Sequence, residues 1–398
     1  SFGGCWPAGA ERRDGQPSMS GDFVRRLPGG GPSFRNHRGE FTWFNLDPWL
    51  MLILLSIVSF GLVVLHSASD GNWVVVEAQL VRLGLGFGLM ILIAQIPPYF
   101  LLRTAPLLYG LGLILLLLIY PFGTEVNGSR RWLRVPGVLN FQPSELMKLF
   151  LPMVLAWYFH ERHLPPGLKP VLVSCLLLLV PAGLIIVQPD LGTGLMIATS
   201  GFLVLILAGL PWRYMLRVGA LVLISAPALW FVIKDYQRGR ILTMFDPERD
   251  PLGAGWNIIQ SKIAIGSGGF SGKGLLNGTQ SHLDFLPESS TDFIIAVLAE
   301  ELGFLGVVSL LALYGLFILR GLMMSLNAQD TFGRLLCGSI TFTFSVYVFV
   351  NIGMVSGILP VVGVPLPLVS YGGTALLTLF AGFGLMMSIH SHRRITLL

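Results

Sequence analysis

The run PWLMLILLSIVSFGLVVLHSAS, residues 48–69, decides the fold. It contains no Asp, Glu, Lys or Arg, and it reaches the ~20 apolar residues that an α-helix needs to cross a hydrocarbon core. Across a run this long only a helix satisfies its own backbone N–H and C=O groups in lipid. Comparable runs recur at 78–97, 103–122, 142–160, 169–188, 192–210, 214–234, 293–319, 333–356 and 372–390, so ten transmembrane helices are predicted. Composition agrees: of 398 residues 53% are hydrophobic and only 12% charged, about half the charge of a soluble protein. A soluble globule, a disordered chain and a nucleic-acid-binding module are excluded. The predicted fold class is an all-α polytopic membrane protein, with residues 46–395 as a single transmembrane domain.

The distribution of Lys and Arg orients the spans. Arg12, Arg13, Arg25, Arg26, Arg35 and Arg38 precede the first span. Alternate loops then carry Arg103; Arg162 and Lys169; Arg213 and Arg217; Arg320 and Arg334; and Arg393 and Arg394 follow the last span. The short loops 70–77, 189–191 and 357–371 carry neither residue. Both termini are therefore predicted to be cytoplasmic. Residues 1–45, rich in Gly, Pro, Ser and Arg, read as a disordered basic tail, and no cleavable signal peptide is predicted before Asp47.

Two outer loops depart from the charge rule. Loop 123–141 contains Arg130, Arg131 and Arg134, and the large loop 235–292 between spans seven and eight contains Arg238, Arg240, Arg249, Lys262 and Lys273. Basic residues kept outside point to an anionic partner on that face or to lipid headgroups. Within the large loop, the Gly-rich segment 253–278 is predicted to hold a short interfacial or re-entrant helix around Lys262. Its Gly266–Gly274 run is not a phosphate loop, because Ser267 and Gly274 stand where Gly and Ser or Thr are required. The three cysteines and the scattered histidines form no disulfide framework or metal cage.

Ionisable groups at or inside the membrane edge are costly, which makes each a candidate site. Glu145 and Lys148 share one face of the fourth span, although Pro143, Ser144 and Glu145 also form a helix-start pattern. Asp190, in Gln188-Pro-Asp-Leu-Gly-Thr-Gly194, completes a turn or caps the following helix. Asp292 opens the eighth span; it either forms a capping box with Ser289 or serves as a general base. Glu300 and Glu301 are predicted to bond to neighbouring helices. Between the last two spans, Pro360, Pro365 and Pro367 with repeated glycines break the helix at membrane depth, which lipid tolerates only in buried or cavity-lining backbone. A polar, partly basic cavity in the outer half is therefore predicted.

The segment from Asn351 through Thr374 closely resembles the signature of the SEDS (shape, elongation, division and sporulation) family. Asn127-Gly-Ser-Arg-Arg-Trp-Leu133, Gln142-Pro-Ser-Glu145 with Lys148, Gln188-Pro-Asp-Leu-Gly-Thr193, and Leu286-Pro-Glu through Asp292-Phe293 agree in order. The residues Gly278–Ser281 before Phe285-Leu-Pro-Glu288 look like the elongation branch rather than the septal one, with Ser289-Ser290 where that branch usually has a basic or His pair. The resemblance implies a peptidoglycan glycosyltransferase of the bacterial inner membrane. It would polymerise lipid II on the periplasmic face, release undecaprenyl diphosphate, and work with a class B penicillin-binding protein. It places the catalytic aspartate on Asp292 and the family's Glu–Lys pair on Glu145 and Lys148. Lys148, Arg131 and Lys262 are the candidates for stabilising the diphosphate, and Trp132 for stacking on a sugar or anchoring at the interface. Glu288, Asp190 and Ser370 complete the expected substrate site. No metal ligands are expected, though family behaviour implies that a divalent cation (Mg or Mn) helps. The alternative from another class is a lipid II flippase, which should expose comparable binding groups on both faces.

Overall fold

The computed structural model describes residues 45–126, 129–135, 139–188, 190–220, 224, 235–249, 253–282, 286 and 288–392. The predicted tail, most of the seventh span and Arg393–Arg394 lie outside them. The first helix, α1 (Pro48–Ala68), starts where expected because Asp47 caps it, accepting from Leu50 N at 2.7 Å, with Pro48 at the first helical position. It is followed by α2 (Trp73–Ala94), α3 (Pro98–Phe122), α4 (Pro143–His160), α5 (Leu168–Val187) and α6 (Leu191–Leu207). Residues 212–220 form α7. The large loop contains α8 (Asp235–Phe245), α9 (Ala254–Gly268) and α10 (Thr279–His282), and the chain ends in α11 (Ile294–Leu326), α12 (Thr331–Val355) and α13 (Thr374–Ser391).

Seven of these helices, α1, α2, α3, α5, α11, α12 and α13, are long and apolar enough to cross a membrane. At 17 residues α6 is apolar but shorter, and α4, with 18, carries Glu145 and Lys148. The all-α expectation needs one correction. Loop 123–141 forms a three-stranded antiparallel sheet of β1 (Thr124–Val126), β2 (Ser129–Val135) and β3 (Leu139–Phe141), in that order. The reason is local: Thr124, Val126, Trp132, Val135 and Phe141 are β-branched or aromatic residue types that favour strands.

The core is continuous through the bundle and has an aromatic centre between α11, α12 and α13. Ring centroids of Phe317 and Phe344 are 4.2 Å apart, and those of Phe317 and Phe383 4.9 Å. Above this cluster lies the irregular segment 356–373, whose backbone groups are bonded inside the protein. Tyr314 Oη donates to Pro367 O at 2.8 Å, Asn351 Nδ2 to Val364 O at 2.7 Å, and Gln79 Nε2 to Ser370 O at 3.3 Å. This is the condition under which non-helical backbone survives at membrane depth. At the opposite end of the bundle, buried Asp47 pairs with Arg320 of α11 and lies 3.3 Å from His390 of α13. Burial works to raise its pKa, but hydrogen bonds from His390, Arg320 and Leu50 N outweigh burial and hold the carboxyl well below the usual carboxylate range.

α11 is one helix by sequence but two by geometry. Gly303 has φ 64° and ψ −159°, a conformation open essentially to glycine alone. The groups freed by this break are bonded by the 269–274 loop: Phe304 N donates to Gly269 O and Leu305 N to Phe270 O, while Lys273 N and Gly274 N donate to Glu300 O and Glu301 O. The Glu300 side chain is fully buried and accepts from Lys273 Nζ at 2.6 Å, Thr279 N at 2.8 Å and Thr279 Oγ1 at 2.9 Å. Its partners therefore lie on this loop and on the neighbouring short helix α10, because the loop folds back onto the break. A Cβ at Gly303 would sit 2.3 Å from Gly272 N. Gly303→Ala should thus lower the thermal midpoint in detergent, with backbone strain of about 1–3 kcal/mol before any steric overlap is counted; an unchanged midpoint would contradict the close loop–helix contact.

Candidate active site

A cavity of about 440 Å³ opens where the starts of α4, α6 and α13 meet the first half of α2, the end of α12 and β2. Its wall includes Arg82, Arg131, Trp132, Gln142, Glu145, Lys148, Asp190 and Tyr347. The helix starts dictate these positions. Pro143 begins α4, which puts Glu145 in its first turn and Lys148 one turn on, with Lys148 Nζ 2.6 Å from Glu145 Oε1. Both side chains are only about a tenth exposed, at 11% and 8%. The ammonium also lies 5.0 Å from the centroid of the Tyr347 ring. Asp190 caps α6 by accepting from Thr193 N at 3.2 Å. Its other oxygen accepts from Gln142 Nε2 at 3.3 Å and lies 3.6 Å from Arg131 Nη1. The cap thus also binds the sheet and α4 to α6.

Asp292 lies beside the wall of this cavity. Gly363 is part of the wall, and a Cβ built on it would lie 3.3 Å from Asp292 Oδ2. The expected capping box with Ser289 does not form. Residues 288–293 make turns instead, with Phe293 N donating to Glu288 O at 3.1 Å, and α11 begins without a side-chain cap. The turn thereby releases the Asp292 carboxylate from helix duty. Two hydrogen bonds fasten it to the irregular segment: Ser370 Oγ to Thr291 O, and Tyr371 N to Ser290 O at 2.9 Å. Asn351 Nδ2 adds a bond to Asp292 O at 2.9 Å. Burial pushes the Asp292 pKa up to about 6, helped by the Glu288 carboxylate and opposed by Arg240. The value lies above the ~3.9 of a free Asp because burial disfavours the charged form.

Of the residues singled out in the sequence, Glu145, Lys148, Arg131, Trp132 and Asp190 line one cavity, with Asp292 beside its wall at Gly363. Three do not line it. Lys262 packs its ammonium against Gly357, where a Cβ would be 2.7 Å from Nζ. Glu288 accepts from Thr291 Oγ1 beside Asp292. Ser370 holds the backbone of Leu366 and Thr291. Arg82, Gln142 and Tyr347 were missed by the sequence reading. Arg82 was findable, since an Arg inside the predicted span 78–97 is an intramembrane charge; the Tyr347 position carried no such signal. Among the described residues no three His, Cys, Asp or Glu side chains gather to hold a metal.

A many-helix membrane protein with a carboxylate- and cation-lined cavity at one end is the class that the fold and site define. The chain matches the sequence model of the cell cycle protein family FtsW/RodA/SpoVE over residues 46–395. It is 51% identical over 351 residues to the peptidoglycan glycosyltransferase MrdB of Escherichia coli (strain K12), covering 88% of this chain and 95% of that one. It is 36% identical over 370 residues to a probable peptidoglycan glycosyltransferase FtsW of Trichlorobacter lovleyi, covering 88% and 95%. Among solved structures, it resembles a chain from work on the structural coordination of polymerization and crosslinking by a peptidoglycan synthase complex, with TM-score 0.77, 38% identity, and 87% and 98% of the two chains covered. It also resembles the rod shape determining protein RodA of Thermus thermophilus, with TM-score 0.67, 34% identity, and 87% and 97% covered. The chain belongs to the FtsW/RodA/SpoVE family, the SEDS family.

Removing either partner of a largely buried ion pair strands the other charge, typically at 3–5 kcal/mol. Glu145→Gln and Lys148→Met should each lower the thermal midpoint markedly. The double variant should recover part of the loss, and strictly additive losses would mean that the two groups are independent.

Proposed function

We propose that this chain is a peptidoglycan glycosyltransferase of cell elongation that polymerises lipid II. The observation that carries the reading is the Asp292 carboxylate, its pKa raised by burial, beside the wall of a cavity lined by Arg82, Arg131 and Lys148. Membership of the family and 51% identity to a named peptidoglycan glycosyltransferase support it. The reaction is one inverting displacement. Asp292 takes the proton of the acceptor's 4-hydroxyl as the new C1–O bond forms. The C1–O bond to the diphosphate breaks, and its electron pair leaves with undecaprenyl diphosphate. The cationic wall stabilises that departing charge, and the Glu145 carboxylate holds Lys148 in place. A pKa near 6 suits this base: it is ionised at neutral pH yet more basic than a free Asp.

The finer architecture is part of the same proposal: ten spans, both termini in the cytoplasm, and the cavity on the periplasmic face of the inner membrane. A class B penicillin-binding protein is the partner, crosslinking the strands that this chain makes. A divalent cation such as Mg or Mn that promotes the reaction would be one carried by the diphosphate, and no step is assigned to it.

The test uses the purified full chain with that partner, transpeptidation blocked, and fluorescent lipid II. The native protein should give glycan ladders, and Asp292→Asn should remain folded and give none. Equal ladders from both would move the base elsewhere; translocation of lipid II in liposomes without ladders would make the protein a flippase. Because the base works only when ionised, polymerisation should fall as pH drops through about 6, with roughly one molecule in ten active at pH 5. A rate unchanged down to pH 5 would contradict the role of Asp292.

A further inference from the structure

Two of the three cations in the cavity wall are committed to carboxylates. Lys148 is held by Glu145 at 2.6 Å, and Arg131 lies 3.6 Å from Asp190. Arg82 differs. Its guanidinium lies over the Tyr371 ring, with Cζ 4.2 Å from the centroid. It pairs with no carboxylate among the described residues, and its buried Nη1 has no hydrogen-bond partner there. An unsatisfied buried donor costs free energy, more so when charged, and a guanidinium inside a membrane span calls for a counter-charge. The planar fork of N–H groups matches the oxygens of a phosphate.

The surroundings hold this fork in place relative to the base. Gln79, one turn earlier on α2, donates to Ser370 O at 3.3 Å, so that face of α2 is fastened to the segment 370–371. The ring under the guanidinium belongs to Tyr371, whose backbone N donates to Ser290 O at 2.9 Å, and Ser370 Oγ donates to Thr291 O. Arg82 and Asp292 thus stand at the two ends of one short bridge, made of the ring contact at Tyr371 and the hydrogen bonds from residues 370–371 to the turn. Gly373 and Thr374, at the start of α13, line the same wall, and no side chain caps that helix.

We propose that Arg82 is the diphosphate-docking residue of the cavity: its guanidinium, laid on Tyr371, receives the diphosphate of the lipid carrier, while Lys148 and Arg131 remain paired with Glu145 and Asp190. The assignment rests on the glycosyltransferase reading. When the C1–O bond breaks, the electron pair stays on the diphosphate oxygen, and the N–H groups of Arg82 donate to that anion. The bridge through Tyr371 and Ser290 keeps the leaving group in register with the Asp292 carboxylate.

The test measures binding apart from turnover. Full-length native protein, Arg82→Gln, Arg82→Lys and Asp292→Asn in nanodiscs would be titrated with undecaprenyl diphosphate and, separately, undecaprenyl monophosphate, and each assayed with lipid II. Native protein should bind the diphosphate more tightly than the monophosphate. Arg82→Gln should lose that preference, weakening diphosphate binding by roughly 10- to 100-fold, as expected for loss of a charge-assisted hydrogen bond. Arg82→Lys should recover part of it. Asp292→Asn should keep diphosphate binding while losing polymerisation. Diphosphate binding by Arg82→Gln at the native level would overturn the proposal, and so would equal weakening of both lipids accompanied by a lowered thermal midpoint. If native protein makes glycan and Arg82→Gln makes as much, the inference fails and the glycosyltransferase reading stands. If native protein binds the diphosphate through Arg82 but makes no glycan, the docking role stands and the glycosyltransferase reading fails.

Discussion

A charge inside a membrane bundle persists only with a partner, and that constraint organises this protein. Glu145 with Lys148, Asp190 with Arg131, and Glu300 with Lys273 are three solutions to one problem. The last two also join elements distant in the bundle or in the chain. The first sits within α4, the second connects the sheet to α6, and the third locks a loop onto the broken α11. The pairs that line the cavity therefore also shape it. A buried pair is weak evidence for net stability, since an apolar replacement is often as stable. Positioning is the stronger reason for keeping these charges where they are.

The irregular segment 356–373 is the second organising feature. It receives hydrogen bonds from α2, α11 and α12 through Gln79, Tyr314 and Asn351. It also bonds to the turn carrying Asp292. A regular helix there would have bonded its own backbone and left no groups to hold that turn. The prolines and glycines thus make the backbone available to the rest of the site.

Much of this was legible in the sequence, for physical reasons that differ by element. The helices α1, α4 and α5 begin within a residue of expectation because the apolar runs, and Pro143 in α4, mark their starts, whereas α3 begins at Pro98, five residues before the expected 103, and takes Arg103 into its first turns. The cavity residues on α4 and α6 were findable because charge beside an apolar run is conspicuous. What failed depended on pairing between distant segments. The strands at 124–141 are only three to seven residues long, too short to leave a pattern that stands out beside apolar runs of spanning length. The capping box at Ser289–Asp292 fitted the spacing, yet the turn bonded to Ser370 and Tyr371 instead. The break at Gly303 left no mark in hydropathy, and its cause, the returning 269–274 loop, lies about thirty residues away.

That break has a mechanical consequence. Beyond Gly303, residues 304–326 form a rod about 35 Å long at 1.5 Å rise per residue. A tilt of only ~5° about one end of such a rod moves its other end by about 3 Å, several times the ~0.5 Å tolerance of a productive reacting geometry. A continuous α11 would act as a lever and deliver every tilt of the bundle to Asp292. With the rod interrupted, and the short leading segment fastened to its own loop, the lever has no arm on the reacting side. The bilayer can rock the long helix while the carboxylate keeps its place.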